Sequence, residues 1–176
     1  MSGHNKWSQI KRQKEKTDSQ KAKLFGKFGK LLAEEARKSG GNLSAPNLKS
    51  AIDRARAANM PSDNIDRAIK KAILDKSASL EAITYEAYGP GGCALMIDAL
   101  TSNKNKAAQE VKFILSEHGT SLASQGSASW AFTRNNHEWT ASTTIPLEDA
   151  DVEKLNLLVE ALEENEEVQA VYTNAE

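Results

Sequence analysis

The stretch YEAYGPGGCALMIDALT, residues 85–101, decides how this chain folds. Tyr85 to Tyr88 and Cys93 to Thr101 read as strand segments on either side of Gly89, Pro90, Gly91 and Gly92, a run that permits a bulge or a sharp turn. The run lacks a following Gly-Lys-Ser/Thr and leads into a strand rather than a helix, so it is expected to be a structural turn and not a phosphate loop. Moving outward, Val111, Ile114 and Leu115 mark a helix that ends at His118-Gly119. Ala128, Trp130 and Phe132 alternate, Trp139, Ala141, Thr143 and Ile145 alternate again, and residues 134–138 between them suit a short hairpin turn. Asp149 or Asp151 opens a last helix whose inner face is Val152, Leu155, Leu158, Val159 and Leu162, and Val168 to Thr173 supplies a closing strand. The resulting order is β-α-β-β-α-β, a ferredoxin-like arrangement with two helices on one face of an antiparallel sheet.

Before this region the pattern is helical. Leu24, Phe25, Phe28, Leu31, Leu32 and Ala36 recur at spacings of three and four, and Ser39-Gly40-Gly41-Asn42 stops that helix. Leu48, Ile52 and Ala55 mark a second helix after Pro46, and Ile65, Ile69 and Ile73 a third, with Ser62 or Asp63 expected to cap its start. The class is therefore α+β: a basic arm and three-helix bundle over residues 1–76, then an acidic ferredoxin-like domain over residues 77–176.

Charge divides at the same place. Residues 1–76 carry 18 Lys and Arg against 8 Asp and Glu, a net of +10, while residues 77–176 carry 5 against 16, a net of -11. A polyanion is drawn to the first half by phosphate neutralisation and counterion release and repelled by the second, so binding is expected to be oriented. No apolar run approaches the ~20 residues of a membrane span, which excludes an integral membrane helix. The opening residues lack the apolar core of a secretory signal, so the chain is expected to act unprocessed. The lone Cys93 fits a reducing compartment, and the cytoplasm is the expected location.

Catalytic chemistry finds little support. His4, His118 and His137 are scattered without metal-ligand spacing, and Cys93 begins an apolar strand where a buried thiol is the ordinary outcome. Glu163, Glu164, Glu166 and Glu167 read as a solvated face. No enzyme activity, cofactor or metal is expected. The basic residues support more: Lys6, Lys11, Arg12, Lys14, Lys16, Lys21, Lys23, Lys27 and Lys30 can line an elongated surface suited to phosphates, extended by Arg54 and Arg56. Trp7 either stacks on an exposed base or pins the arm to the bundle, and the burial gain of an indole favours pinning.

Several segments resemble the YebC family, which includes bacterial transcriptional regulators and the mitochondrial translational activator of cytochrome c oxidase subunit I. They are Gly3-His4-Asn5-Lys6-Trp7-Ser8-Gln9-Ile10-Lys11, Lys21-Ala22-Lys23-Leu24-Phe25, residues 51–61, Asp63-Asn64-Ile65, residues 85–92 and the end from Leu162 to Ala175. Members usually carry a third domain inserted between the two central strands, where this chain has only the turn at 134–138. Lys104 and Lys106 stand where the family often has arginines, which keeps the charge but loses the planar, bidentate guanidinium. The resemblance implies a non-enzymatic nucleic-acid-associated factor, with ribosomal RNA and the ribosome as the preferred partner in a role aiding translation elongation. DNA-bound transcription control is the alternative, and a small-molecule-sensing ferredoxin-like module a more remote one.

Overall fold

A computed structural model describes residues 17–75, 79–135 and 137–176. Two compact units divide it, one running to Glu81 and the other from Ala82 to Glu176.

The first unit holds α1 (Asp18–Ser39), α2 (Pro46–Ala57) and α3 (Ser62–Leu74). Thr17 and Gln20 close a reciprocal cap at the start of α1: the Thr17 hydroxyl accepts from the Gln20 N–H at 3.2 Å, and the Gln20 amide oxygen accepts from the Thr17 N–H at 2.9 Å. Gly40, at φ 62°, ends the helix in the left-handed conformation that suits glycine. Leu32, Ala36, Leu48, Ala51, Ile52, Ala55, Ile65 and Ile69 form one buried cluster across the three helices. Two expectations are corrected here. Ser62 and Asp63 do not cap α3: both are already helical, the preceding position is Pro61, and the Pro61 carbonyl accepts from the Asn64 and Ile65 N–H groups. Ile73 is 40% exposed rather than part of the inner face, and its side chain lies over Gly41, where a Cβ would sit only 2.6 Å from the Ile73 Cδ1.

The second unit runs β1 (Glu81–Tyr88), β2 (Ala94–Thr101), α4 (Lys104–Glu117), β3 (Phe132–Asn135), β4 (Glu138–Ala141), α5 (Asp149–Glu164) and β5 (Val168–Thr173). The class is α+β, and β2-α4-β3-β4-α5-β5 follows the chain order read from the sequence. Strand pairing departs from a single ferredoxin-like sheet. The main sheet is β1-β2-β5, and β3 pairs only with β4 in a separate hairpin. The reason is that β1 and β5 occupy both edges of β2, which leaves no edge there for β3. β5 runs antiparallel to β2, with Leu95 opposite Thr173 and Ile97 opposite Val171.

The hairpin covers the face that the helices do not. On one face Leu95, Ile97, Val168 and Val171 pack with Val111, Leu115, Leu155, Leu158, Val159 and Leu162 of the helices. On the other, Ala94 and Met96 pack with Ala128, Ala131 and Phe132, flanked by Trp139 and Tyr172. Burial on both sides accounts for the apolar run of β2 over residues 94–97, because a strand with one wet face would alternate; the run is interrupted at Asp98, which is paired rather than solvated. The alternation expected over Ala128, Trp130 and Phe132 is also corrected. Residues Ser129–Ala131 form a 3-10 turn that buries Ala128 and Ala131 and leaves Trp130 58% exposed.

Pro90–Gly92 form a second 3-10 turn, closed by the Gly89 N–H donating to the Cys93 carbonyl at 2.8 Å. Gly91 has φ 70°, and a Cβ there would lie 2.5 Å from the Leu147 Cδ2 and 3.1 Å from the Asp151 Oδ2. Gly91→Ala is therefore expected to destabilise the unit by about 2 kcal/mol, through left-handed strain and the clash together. Urea denaturation checks this, and wild-type stability would remove Gly91 from the structural requirements of the turn.

Candidate nucleic-acid interface

The candidate surface begins on α1. Lys23, Lys27 and Lys30 stand at i, i+4 and i+7, so the helix places them along one side. Their exposure differs. Lys21 and Lys23 are exposed and Lys30 is half-buried, but Lys27 is only 8% exposed. This corrects the reading of a continuous lysine row, since Lys27 is withdrawn from contact with an external phosphate. On α2, Arg56 is exposed and Arg54 half-buried. Lys6, Trp7, Lys11, Arg12, Lys14 and Lys16 lie outside the described residues.

Other cations enter the surface or leave it. Lys49 on α2 and Arg67, Lys70 and Lys71 on α3 are exposed, although Asp63, Asp66 and Asp75 share the groove that Arg67, Lys70 and Lys71 line. At the end of α1, Lys38 lies 3.8 Å from Glu34 and 3.7 Å from Glu35, and Arg37 lies 3.7 Å from Glu34. Those two cations are partly neutralised by their own helix. The exposed positive charge therefore sits at the start of α1, on α2 and on α3.

Two of the second unit's cations, Lys106 and Arg134, are used internally, whereas Lys112 and Lys154 are exposed. Lys106 meets Glu167 at 3.1 Å, and this hydrogen bond, with the charges of Glu167 and Glu110, raises the ammonium above its ordinary range. Arg134 reaches Asp98 at 3.3 Å while its guanidinium stacks 4.8 Å above the Trp139 ring. Asp98 also accepts from the Thr84 hydroxyl at 2.7 Å and from the Trp139 indole N–H at 3.2 Å, which ties the hairpin to β1 and β2. Cys93 is fully buried, and burial pushes its thiol up. A nucleophilic thiolate is not favoured there.

Glu167, read from the sequence as part of a solvated face, is instead only 7% exposed. Two further buried polar residues, Glu86 and Asn174, escaped the sequence reading. Glu86 is 6% exposed and accepts from the backbone N–H groups of Gly126 (2.6 Å), Ala128 (2.9 Å) and Ser129 (2.7 Å). Burial alone would raise its carboxyl, but these donors outweigh it and hold the group below the usual carboxylate range. Asn174 is 2% exposed, accepts from the Ala94 N–H at 2.7 Å and donates to the Thr143 carbonyl at 3.0 Å. Neither residue has a local signal, because their partners are 31 to 80 positions away. Among the described residues no group of three or more His, Cys, Asp or Glu is placed to hold a metal ion, and no helix is long and apolar enough to cross a membrane.

A basic three-helix unit followed by an acidic α+β unit, with exposed lysines and arginines on the first, defines a chain organised around charge rather than around a catalytic pocket. Comparison with known proteins places it. The model of the TACO1/YebC protein N-terminal domain matches residues 5–74, and that of the TACO1/YebC second and third domain matches residues 80–137 and 133–175. This chain belongs to the TACO1/YebC family. A probable transcriptional regulatory protein of Desulfitobacterium hafniense is 45% identical over 185 residues, covering 98% of this chain and 70% of the relative. One from Petrotoga mobilis is 44% identical over 184 residues, covering 100% and 71%. Among solved structures, a conserved hypothetical protein from Aquifex aeolicus superposes with a TM-score of 0.81 at 28% identity, over 97% of this chain and 96% of that one.

Proposed function

We propose that this protein is a non-enzymatic, cytoplasmic regulatory factor that associates with nucleic acid through its basic N-terminal half. The observation that carries this reading is the separation of charge, +10 before Ser77 and -11 after it, combined with the exposure of Lys21, Lys23 and Arg56. The names of the relatives favour transcription, and duplex DNA is accordingly the first target. A second reading, association with ribosomal RNA in translation, is favoured by the side chains on α3. Its exposed charged positions are Asp63, Asp66, Arg67, Lys70 and Lys71, a set that suits phosphates better than the base edges of a major groove. The two pieces matched by the second-and-third-domain model meet at residues 133–137, the tip of the β3–β4 hairpin. That junction supports the hairpin as the place where longer members carry additional chain, and the gap between the two family models, from 74 to 80, supports residues 1–76 and 77–176 as the functional halves.

The test is fluorescence anisotropy with a labelled DNA duplex and, separately, cosedimentation with ribosomes, each across a salt series. The triple variant Lys21→Glu, Lys23→Glu, Arg56→Glu is expected to weaken binding and to flatten the plot of log affinity against log salt by about three, roughly 0.9 for each phosphate no longer neutralised. Binding to the duplex alone favours the transcription reading, and salt-sensitive cosedimentation alone favours translation. Wild-type affinity and slope in the triple variant would defeat both.

A further inference from the structure

The second unit displays an aromatic ring that its core does not cover. Trp130 is 58% exposed although it sits between Ala128 and Ala131, both fully buried. Its indole N–H donates to the Tyr88 hydroxyl oxygen at 3.1 Å, the Tyr88 hydroxyl donates to the Ser127 carbonyl, and the Thr120 hydroxyl donates to the Tyr88 carbonyl. The supporting loop is fixed as well. Glu86 receives three of its backbone N–H groups, the Ala123 N–H donates to the Glu86 carbonyl at 2.8 Å, and Leu122 bridges to Ala87. An indole whose polar edge is already satisfied offers a partner only its π face, and a ring held in place loses little entropy when that face is covered.

The surroundings select the partner. The second unit is strongly acidic, yet residues 118–137 contain no Asp or Glu, and their ionisable side chains are His118, Arg134 and His137. Ser121, Ser124 and Gln125 are exposed in the same loop and supply hydrogen-bonding groups without charge. The segment itself carries no carboxylate to repel a polyanion or to pair with a lysine-rich peptide. We infer that Trp130, set by Tyr88 and the 118–131 loop, is a stacking platform for an unstacked nucleobase in a single-stranded segment. The inference rests on the preceding reading that the chain binds nucleic acid, and it adds a second contact, on the acidic unit, that duplex binding would not use.

The experiment measures anisotropy of a labelled 12-nucleotide single-stranded RNA, a single-stranded DNA of the same sequence and a DNA duplex, using the full chain. Trp130→Ala is expected to lower single-strand affinity by about 5- to 100-fold, the range for removing one base stack, and to leave duplex affinity unchanged. Trp130→Phe, which keeps a ring, should retain most of the affinity, and thermal melting of each variant separates a binding loss from an unfolded loop. An equal loss on RNA and DNA assigns the contact to the base, and a loss on RNA alone assigns it to a segment also held through its ribose. Unchanged single-strand binding in a folded Trp130→Ala variant overturns the platform, as does failure of the wild-type chain to bind single strands. If the Lys21, Lys23, Arg56 triple variant is impaired while Trp130→Ala is not, the platform fails and the basic-surface reading stands. If the triple variant also binds as wild type, that reading fails with it.

Discussion

Replacing Glu86 with Ala should cost the second unit about 3 kcal/mol, because three backbone N–H groups lose their acceptor together, the buried Ala128 donor carries the full penalty of roughly 1–3 kcal/mol, and the part-buried Gly126 and Ser129 donors carry less. The donors are those of Gly126, Ala128 and Ser129, and they hold the turn that buries Ala128 and Ala131 against Ala94 and Met96. For a unit of this size such a loss lowers the melting midpoint by roughly 15 °C or more. A midpoint within a few degrees of wild type would show that water replaces the carboxylate without penalty. The same geometry sets a pH dependence. Glu86 titrates lower in the folded chain than in the unfolded one, so its contribution is fully present above the ordinary carboxylate range and is lost as pH falls through the depressed folded value. Glu86→Gln removes this titration. Its stability should therefore vary less than that of wild type as the pH is lowered from about 5 to about 3, a window that brackets the usual carboxylate range. Parallel stability curves for the two proteins would refute the linkage.

Local pattern carried much of the fold. The helical spacing of Leu32, Ala36, Leu48, Ile52, Ile65 and Ile69 placed the first core, and Gly40 marked the end of α1 because a left-handed residue favours glycine. The last strand, Val168–Thr173, was legible to the residue. What local pattern could not show was which edge each strand would take. Cys93 to Thr101 reads as apolar whether helices cover it alone or a hairpin covers its second face, and only the pairing of β1 and β5 with β2 decides. Trp130 misled for a related reason: a spacing of two between Ala128, Trp130 and Phe132 imitates a strand, but burial follows a spacing of three, from Ala128 to Ala131.

The candidate interface was legible as charge and not as exposure. Lys27 and Lys30 look equivalent in sequence, three residues apart on one helix, yet Lys27 is 8% exposed and Lys30 is half-buried. Burial depends on what packs over a side chain, and periodicity carries no information about that. Arg37 and Lys38 count fully toward the positive half but share Glu34, so net charge overstates what they offer to a phosphate. Of the two, Lys38 is 54% exposed at its side chain and can be shared with a phosphate, whereas the Arg37 side chain is only 22% exposed. The partner of Lys106, Glu167, is itself 7% exposed and held by the Asn165 side chain. Lys106 is thus tied to a buried carboxylate although its own side chain is 50% exposed.

Asn174→Ala should destabilise the second unit by about 3 kcal/mol, since it removes two buried hydrogen bonds and leaves the Ala94 N–H and the Thr143 carbonyl without their partner. Asn174 lies one residue beyond β5, and its side chain joins the start of β2 to the segment after β4. Its neighbours repeat the connection through backbone: the Ile145 N–H donates to the Asn174 carbonyl at 3.0 Å, and the Glu176 N–H donates to the Ile145 carbonyl at 2.7 Å. One amide thus fixes the main sheet to the chain that leaves the hairpin. Asn174→Asp keeps an acceptor for Ala94 but loses the donor to Thr143 and buries a charge, so it should be no more stable than the Ala variant near neutral pH and should recover as acid protonates it. Amide hydrogen exchange gives the local readout. In Asn174→Ala the Ala94 amide should exchange faster by more than the global loss of stability explains, whereas Ile97, which lies deeper in β2, should follow the global change. Equal protection at Ala94 and Ile97 in the variant would mean that the β2–β5 ladder, and not this side chain, holds the start of β2 in place.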